Sequence, residues 1–212
     1  MAIVSFSQKY IFIKTRKTAG TSVQKTLRPF CKDGDIVTMQ WTDIMTGTRC
    51  RVEEFASIEG IEQQFSVDRN EYFTFGFTRN PYSLALSRYF YQIKMNRIPG
   101  PPSPAYFNRW LADVYFRGEP GFPKGRYVKD RSRHLLFDAN VKPTVDFIGK
   151  FENLQDDFTT ITRRLALPDT ELSHVNKSNH NNIHYRDWFD SRSIYLVQKH
   201  FDFELEYFNY AF

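Results

Sequence analysis

The chain has 212 residues, of which 41% are hydrophobic and 17% aromatic, and a formal net charge of +5. This composition excludes a disordered chain, and the length suits one domain at the large end of the usual range. The positive charge favours anionic partners, and a small anionic molecule satisfies it as well as a nucleic acid does. There is no signal-peptide core and no run near the ~20 apolar residues of a membrane span, so we expect a cytoplasmic protein.

The first predicted elements are short and separated by polar segments. Tyr10–Ile13 is an apolar run with aromatic side chains and predicts a buried strand. The apolar spacing after Gly20 suits a helix that ends before Pro29. Asp35–Gln40 predicts a second strand, and the three- to four-residue apolar steps in Arg51–Gln64 predict a second helix.

The middle of the chain repeats this order. Tyr72–Thr78 predicts a strand that runs directly into a helix, with Asn80 as its N-cap and Pro81 at its first position. The tract "IPGPPSP" over residues 98–104 predicts a loop, and Ser103-Pro104 at its end opens another helix.

The last third contains one more strand and two helices. Val145–Phe151 predicts the strand, and Asn153 with Asp156 resembles a capping box before a helix that reaches about Leu167. Ser191–His200 predicts the final helix. Strands that alternate with helices predict an α/β fold in which a central parallel sheet is flanked by helices.

The segment Lys14–Ser22, "KTRKTAGTS", begins where the first predicted strand ends and leads into a helix. Ligands bind beyond the carboxyl ends of such strands, and the N-terminus of a helix stabilises an anion. Gly20 allows close approach of the backbone, Lys17 adds a charge, and the hydroxyl groups add donors. Lys17 precedes the glycine, so the order of a Walker A loop is absent and a metal-dependent nucleoside triphosphatase is disfavoured. A capped helix with incidental basic residues is the alternative for this segment alone.

A second polar segment also begins where a strand ends. Arg79 follows the strand, and Ser87 lies two helical turns beyond the predicted cap, roughly 10 Å along the axis. An arginine side chain can fold over that distance, so Arg79 and Ser87 could hold one phosphate between them. Together the two segments suggest a ligand with separate 5′- and 3′-linked anionic groups.

With both segments considered, the sequence resembles the sulfotransferases. "YIFIKTRKTAGTS" is similar to their 5′-phosphosulfate loop, and "FTFGFTRNPYSLALSRYFY" is similar to their 3′-phosphate motif. The similarity is greatest to the carbohydrate type, which includes heparan sulfate 2-O-sulfotransferases and bacterial relatives. "VDFIGKFENLQDDF" and "LSHVNKS" resemble later segments of that family in the expected order.

The resemblance implies a single P-loop-NTPase-like domain over residues 1–212, with the loop-rich segment 96–133 as an insertion on the acceptor side. It implies transfer of a sulfuryl group from 3′-phosphoadenosine 5′-phosphosulfate (PAPS) to a hydroxyl or amine of a carbohydrate or other small acceptor. The product nucleotide is 3′-phosphoadenosine 5′-phosphate (PAP), and no metal is expected. Lys17 corresponds to the lysine that contacts the bridging oxygen. The residues implied to bind the donor are Arg16, Lys17, Thr18, Ala19, Gly20, Thr21, Ser22, Arg79, Ser87, Lys177 and Ser178.

The general base departs from the family pattern. Carbohydrate enzymes commonly use a histidine upstream of the 3′-phosphate motif, and the span from Thr21 to Arg79 contains none. Glu53, Glu54 and His134 are the remaining candidates, because a carboxylate with a raised pKa or an imidazole can accept a proton. For each of them the alternative is an exposed residue with no catalytic role, and the sequence does not identify the base.

Other features leave alternatives open. Tyr106 and Trp110 could line an acceptor cleft or belong to the core, and the basic stretch 124–133 could contact an anionic acceptor or only solvent. Cys31 and Cys50 match no metal spacing, and free thiols are favoured over a disulfide between them. The alternatives to a sulfotransferase are a catalytically silent PAP- or nucleotide-binding module and a kinase-like phosphotransferase. No nucleic-acid motif and no membrane partner is expected.

Overall fold

The computed structural model describes residues 2–39, 42–43, 45–46, 56–98, 100–117, 132–168, 170–172 and 183–212. These residues belong to two compact units. Met1–Thr78 and Asp130–Asn176 form the sheet unit, and Arg79–Lys129 and Lys177–Phe212 form the helical unit. No helix among these residues is long and apolar enough to cross a membrane.

The sheet unit is built on a six-stranded sheet in the order β4-β3-β1-β2-β5-β6. Its strands are β1 (Ala2–Ser5), β2 (Tyr10–Ile13), β3 (Ile36–Met39), β4 (Thr42–Asp43), β5 (Phe73–Thr78) and β6 (Phe147–Lys150). Its helices are α1 (Gly20–Leu27), α2 (Ile58–Phe65), α5 (Ser132–Leu136) and α6 (Leu154–Arg164). The predicted α/β fold with a central sheet and flanking helices is confirmed.

Parallel pairing is confined to three strands of this sheet. β2 pairs with β5, and β5 pairs with β6, both in parallel. β1 pairs antiparallel with both β2 and β3, and β3 pairs antiparallel with β4. Neither β1 nor β4 was predicted from the sequence, because β4 has only two residues and β1 lacks the aromatic side chains that indicated a strand at β2.

The core of the sheet unit lies between one face of the sheet and two helices. Phe12 is stacked on Phe75 with ring centroids 5.2 Å apart, in the register that pairs these two residues across β2 and β5. Helix α1 contributes Val23 and Leu27 to this core, and helix α6 contributes Phe158 among others. The alternation of side chains along each strand sends every second residue into this aromatic layer.

The opposite face of the sheet is covered near β5 by the short helix α5. Gly76 has no side chain, and a Cβ atom there would lie 2.6 Å from Cδ2 of Leu136. Gly76 therefore allows Leu136 to pack directly on the backbone of β5. This contact brings α5 to the strand that precedes Arg79 in the chain.

Asp35 holds the turn between β1 and β2. Its carboxylate accepts hydrogen bonds from Oγ of Ser5 at 2.9 Å, from the N–H and Oγ of Ser7 at 2.9 and 2.6 Å, and from the N–H of Lys32 at 2.9 Å. Burial raises the pKa of Asp35, but these hydrogen bonds outweigh it and hold the pKa below the ordinary aspartate value. The ionised carboxylate thus joins the β1–β2 turn to the start of β3.

The helical unit contains α3 (Pro81–Lys94), α4 (Pro104–Arg117), α7 (Ser191–His200) and α8 (Asp202–Tyr207). Asn80 caps α3 as predicted, because its Oδ1 accepts from the N–H of Tyr82 at 2.9 Å. The predicted starts of α4 at Pro104 and of α7 at Ser191 are also confirmed. The core of this unit is aromatic, and Tyr89 packs there against Trp110 and Trp188.

One predicted helix start and one predicted helix cap need correction. Helix α2 begins at Ile58, with Ser57 accepting from the N–H of Gly60 at 3.4 Å, while residues 51–55 lie outside the described residues. Helix α6 has no side-chain cap from Asn153, so the predicted capping box is wrong. Asp157 instead accepts from the N–H of Lys150 at 2.6 Å, which ties the first turn of the helix to the end of β6.

Candidate anion-binding site

The loop between β2 and α1 has an unusual backbone. Lys17 has φ of 60° and Ala19 has φ of 61° with ψ of 16°, while the intervening Thr18 is absent from the residues of positive φ. Positive φ is uncommon for residues other than glycine and is retained where the surroundings require it. Left-handed residues that alternate with right-handed ones turn successive N–H groups toward one side, and this arrangement forms an anion-binding concavity.

The N–H groups of this turn are available to a ligand. Within the described residues, the backbone N–H groups of Thr18, Ala19, Gly20 and Thr21 donate to no acceptor. The next N–H group along the helix, that of Ser22, donates to the carbonyl oxygen of Ala19 at 2.8 Å. The loop and the first turn of α1 therefore present a row of unsatisfied donors at the positive end of a helix.

Lys14 lies across the start of α1. It is buried at 6% exposure, and its Nζ donates to Oγ1 of Thr21 at 3.1 Å. A Cβ atom at Gly20 would lie 2.8 Å from Cε and 2.9 Å from Cδ of Lys14. Gly20 is not among the glycines of positive φ, so it is required by the passage of the Lys14 side chain and not by its own backbone conformation.

The hydroxyl groups of Thr15 and Thr18 fasten the loop to the sheet. Thr15 Oγ1 donates to the carbonyl oxygen of Phe77, at the end of β5. Thr18 Oγ1 lies 2.8 Å from Thr15 Oγ1 and donates to the carbonyl oxygen of Thr15 at 3.1 Å. Both side chains are buried, so these hydroxyl groups stabilise the loop, and Thr18 has its backbone N–H to offer an anion.

The charge around the loop has one sign. Lys14, Arg16 and Lys17 lie within four residues, and the first turn of α1 contains no acidic residue. The helix dipole adds a partial positive charge at the same place. An anion bound here gains attraction from all of these groups, and no neighbouring acidic residue of the helix opposes it.

Arg79 and Ser87 belong to the start of the helical unit. Nε of Arg79 donates to Oγ of Ser83 at 2.9 Å, and Oγ of Ser83 donates to the carbonyl oxygen of Asn80 at 3.2 Å. Ser87 is half-buried and lies one turn beyond Ser83 on the same face of α3. Ser83 was missed by the sequence analysis, although its position four residues after Arg79 could have indicated it.

The candidates for the general base are placed only in part. His134 is exposed on α5, and that helix begins beside β5, since Oγ of Ser132 accepts from Oγ1 of Thr78 at 3.3 Å. Glu53 and Glu54 lie outside the described residues. Among the described residues, no group of three or more His, Cys, Asp or Glu side chains could hold a metal ion.

Some of the other predicted features lie within the described residues, and others lie outside them. Lys177, Ser178 and most of the basic stretch 124–133 lie outside them. Trp110 is 5% exposed and packs against Tyr89 in the core of the helical unit, which is the second of the two alternatives left open for it. Tyr106 is 50% exposed.

Comparisons with known proteins give one relative and one structural alignment of note. No family model matches the chain. An uncharacterized protein from Archaeoglobus fulgidus is 30% identical over 101 residues, which are 46% of this chain and 71% of that protein. The crystal structure of a sulfotransferase from Alicyclobacillus acidocaldarius aligns over 89% of this chain and 93% of its own, with 14% identity and a TM-score of 0.39. A TM-score of that size does not establish a common fold.

Proposed function

We propose that this chain, which belongs to the same family as the Archaeoglobus fulgidus protein, is a sulfotransferase that uses PAPS. It would transfer the sulfuryl group to a hydroxyl or amine of a carbohydrate or another small acceptor. The observation that carries the proposal is the loop after β2, where Lys17 and Ala19 are left-handed and four successive N–H groups have no acceptor among the described residues. The sequence of this loop is also the one that resembles the 5′-phosphosulfate loop of sulfotransferases.

The residues of the loop fit a phosphosulfate. Its oxygens are strong acceptors, and the loop offers backbone donors together with the charges of Lys14, Arg16 and Lys17. Arg79 suits a phosphate separately, because a guanidinium is a planar fork of donors that matches phosphate oxygens, and its Nε is held by Ser83. By resemblance, Arg79 and Ser87 would hold the 3′-phosphate of the donor, and Lys177 and Ser178 would contact the nucleotide.

The chemistry assigns a distinct task to each group of residues. When bound, PAPS supplies a sulfuryl group on a good leaving group: the acceptor oxygen or nitrogen forms a bond to sulfur while the bond from sulfur to the bridging oxygen breaks. Lys17 would donate to the bridging oxygen and so stabilise the charge that develops on the 5′-phosphate. The N–H groups of residues 18–21 would hold that phosphate in place without reorganisation, which is the main source of catalysis in reactions with a loose transition state.

The proton of the acceptor must pass to a base of this chain. His134 is exposed on α5, and an imidazole can accept a proton. Glu53 and Glu54 would need a raised pKa to act as bases at neutral pH. Replacement of each by a neutral residue, with measurement of the pH dependence of kcat, would identify the base as the variant that loses the acidic limb of its profile, where the rate rises as the base becomes deprotonated.

The test is ligand binding followed by turnover. PAP at 100 times its Kd should stabilise the chain by about 2.7 kcal/mol and raise Tm by roughly 5–10 °C, while AMP should do much less. Stabilisation by ATP above that by PAP would favour a phosphotransferase. An absence of stabilisation by PAP contradicts the proposal. If PAP stabilises the chain but no PAP is released from PAPS with any acceptor of a panel, the catalytically silent module is favoured.

Lys17 provides the catalytic test. Lys17→Ala should lower kcat by about a hundredfold or more, as loss of a transition-state donor does in other enzymes. Lys25→Ala is the matched control, because Lys25 is an exposed lysine on the same helix α1 and should leave kcat unchanged.

A further inference from the structure

We infer that Lys14 is a positioning residue of the anion-binding loop, which orients the hydroxyl group of Thr21 as a donor toward the 5′-phosphate. This inference rests on the proposed function and deepens it. Neither the hydroxyl of Thr15 nor that of Thr18 can serve this purpose, since both are committed to carbonyl oxygens of the protein. Thr21 is the loop threonine whose hydroxyl stays available.

The side chain of Lys14 brings a positive charge to the N-terminus of α1. Its side chain is buried at 6% exposure, and its Nζ lies at Thr21, the second residue of α1. Burial of a cation is unfavourable, and the positive end of a helix adds repulsion. A phosphate at the N–H groups of the loop reverses both effects, because it brings negative charge to the same place.

The hydrogen bond between Lys14 and Thr21 has a direction that chemistry dictates. An ammonium group has three donors and no acceptor, so Oγ1 of Thr21 must accept the hydrogen bond from Nζ. The single hydroxyl hydrogen of Thr21 then points away from Lys14. Within the described residues, Thr21 has no other side-chain hydrogen bond, so this hydrogen can be donated to a ligand.

Thr21 thereby offers two donors to one anion. Its backbone N–H belongs to the row of unsatisfied donors, and its hydroxyl is turned outward by Lys14. Without Lys14, the hydroxyl of Thr21 could rotate and bond to a nearby backbone carbonyl, as threonines in the first turns of helices commonly do. The contribution of Thr21 should therefore depend on the presence of Lys14.

A double-mutant cycle measures this dependence. Lys14→Met keeps an unbranched side chain over Gly20 and removes the charge, and Thr21→Val removes the hydroxyl at constant shape. Each should lower the affinity for PAP, measured by isothermal titration calorimetry, by roughly tenfold, the size of one charge-assisted hydrogen bond. In the Lys14→Met background, Thr21→Val should cost less than about twofold, since the hydroxyl is no longer oriented. Thr21→Ser is the control and should bind PAP like the wild type.

A second ligand separates positioning from general structural damage. Adenosine 3′-phosphate lacks the 5′-phosphate, so its affinity should be the same in the wild type and in every variant. Equal loss of both ligands, or the same loss from Thr21→Val in both backgrounds, overturns the role of Lys14. If Lys14→Met does not fold, Lys14→Gln takes its place in the cycle. If the wild type does not bind PAP, the proposed function itself is contradicted. If the wild type binds PAP and Lys14→Met binds it equally well, only the role of Lys14 is contradicted.

Discussion

Replacement of Gly20 by alanine is the sharpest test of the loop geometry. Gly20 is the first residue of α1, and its φ is not positive, so alanine suits its backbone. On helix propensity alone, the substitution would stabilise the protein by up to about 1 kcal/mol. The Cβ atom, however, would lie 2.8 and 2.9 Å from Cε and Cδ of Lys14, distances that real Cβ atoms do not adopt.

The steric effect should exceed the gain in propensity. Lys14 is buried, so its side chain cannot move without disturbing its neighbours. Overpacking of this kind costs about 1–3 kcal/mol, and the hydrogen bond from Nζ to Thr21 is weakened as well. We expect a net loss near 2 kcal/mol, which for a chain of this length lowers Tm by roughly 4–8 °C.

Gly60→Ala supplies the matched control. Gly60 also lies in the first turn of a helix, and a Cβ atom there would be 3.8 Å from Oγ of Ser57 and 4.0 Å from Cβ of Ala56, which is ordinary contact. Gly60→Ala should therefore raise the free energy of unfolding by up to about 1 kcal/mol. Both variants are compared by urea denaturation. If Gly20→Ala is as stable as Gly60→Ala, or if it remains destabilising in a Lys14→Ala background, the path assigned to the Lys14 side chain is wrong.

Three further predictions concern single side chains. Asp35→Asn should lower the free energy of unfolding by about 1–3 kcal/mol at neutral pH. Because the pKa of Asp35 is lower in the folded state, its stabilisation is fully present above the unfolded pKa of about 3.9 and is lost as the pH falls through the folded pKa. The difference in unfolding free energy between wild type and Asp35→Asn should therefore shrink on acidification, and a difference that grows would contradict this. Thr18→Val should lower the free energy of unfolding by about 1–2 kcal/mol without a change in the affinity for PAP, since the hydroxyl of Thr18 is bonded to Thr15. Calorimetry that shows weaker binding of PAP at unchanged stability refutes the assignment. Ser83→Ala should weaken binding of adenosine 3′-phosphate by a few-fold, because Arg79 loses the acceptor that holds its Nε, and unchanged affinity would remove Ser83 from the site.

Much of the fold near the loop could be predicted from local patterns. The strand Tyr10–Ile13 and the helix that starts at Gly20 occur as the sequence indicates, and the strand ending at Thr78 is followed by a helix capped by Asn80. Short apolar runs, a proline at the first helical position and a capping side chain are properties of adjacent residues. They are readable without knowledge of the rest of the chain.

The antiparallel half of the sheet was less accessible to prediction. β1 is held by its pairing with β2 and β3, and the turn before β2 is stabilised by Asp35, which is far along the chain. The pairing of β1 with β3 joins Ile3 to Val37 and Val4 to Ile36, and the bond from Ser7 to Asp35 spans 28 positions. The sequence of β1, "AIVS", does not specify which strands it pairs with.

In the loop between β2 and α1, too, some properties follow from adjacent residues and others depend on distant ones. The residue types from Lys14 to Ser22 were sufficient to indicate an anion site, because cations, hydroxyl groups and a helix start suit an anion in any fold. They did not show that Lys14 is buried, that Thr15 and Thr18 fasten the loop to the sheet, or that Oγ1 of Thr21 accepts from Lys14. Those assignments follow from the end of β5, whose carbonyl at Phe77 captures Thr15, and from the space above Gly20 that receives Lys14. Side-chain orientation is decided by partners that folding brings near, and local sequence does not contain them.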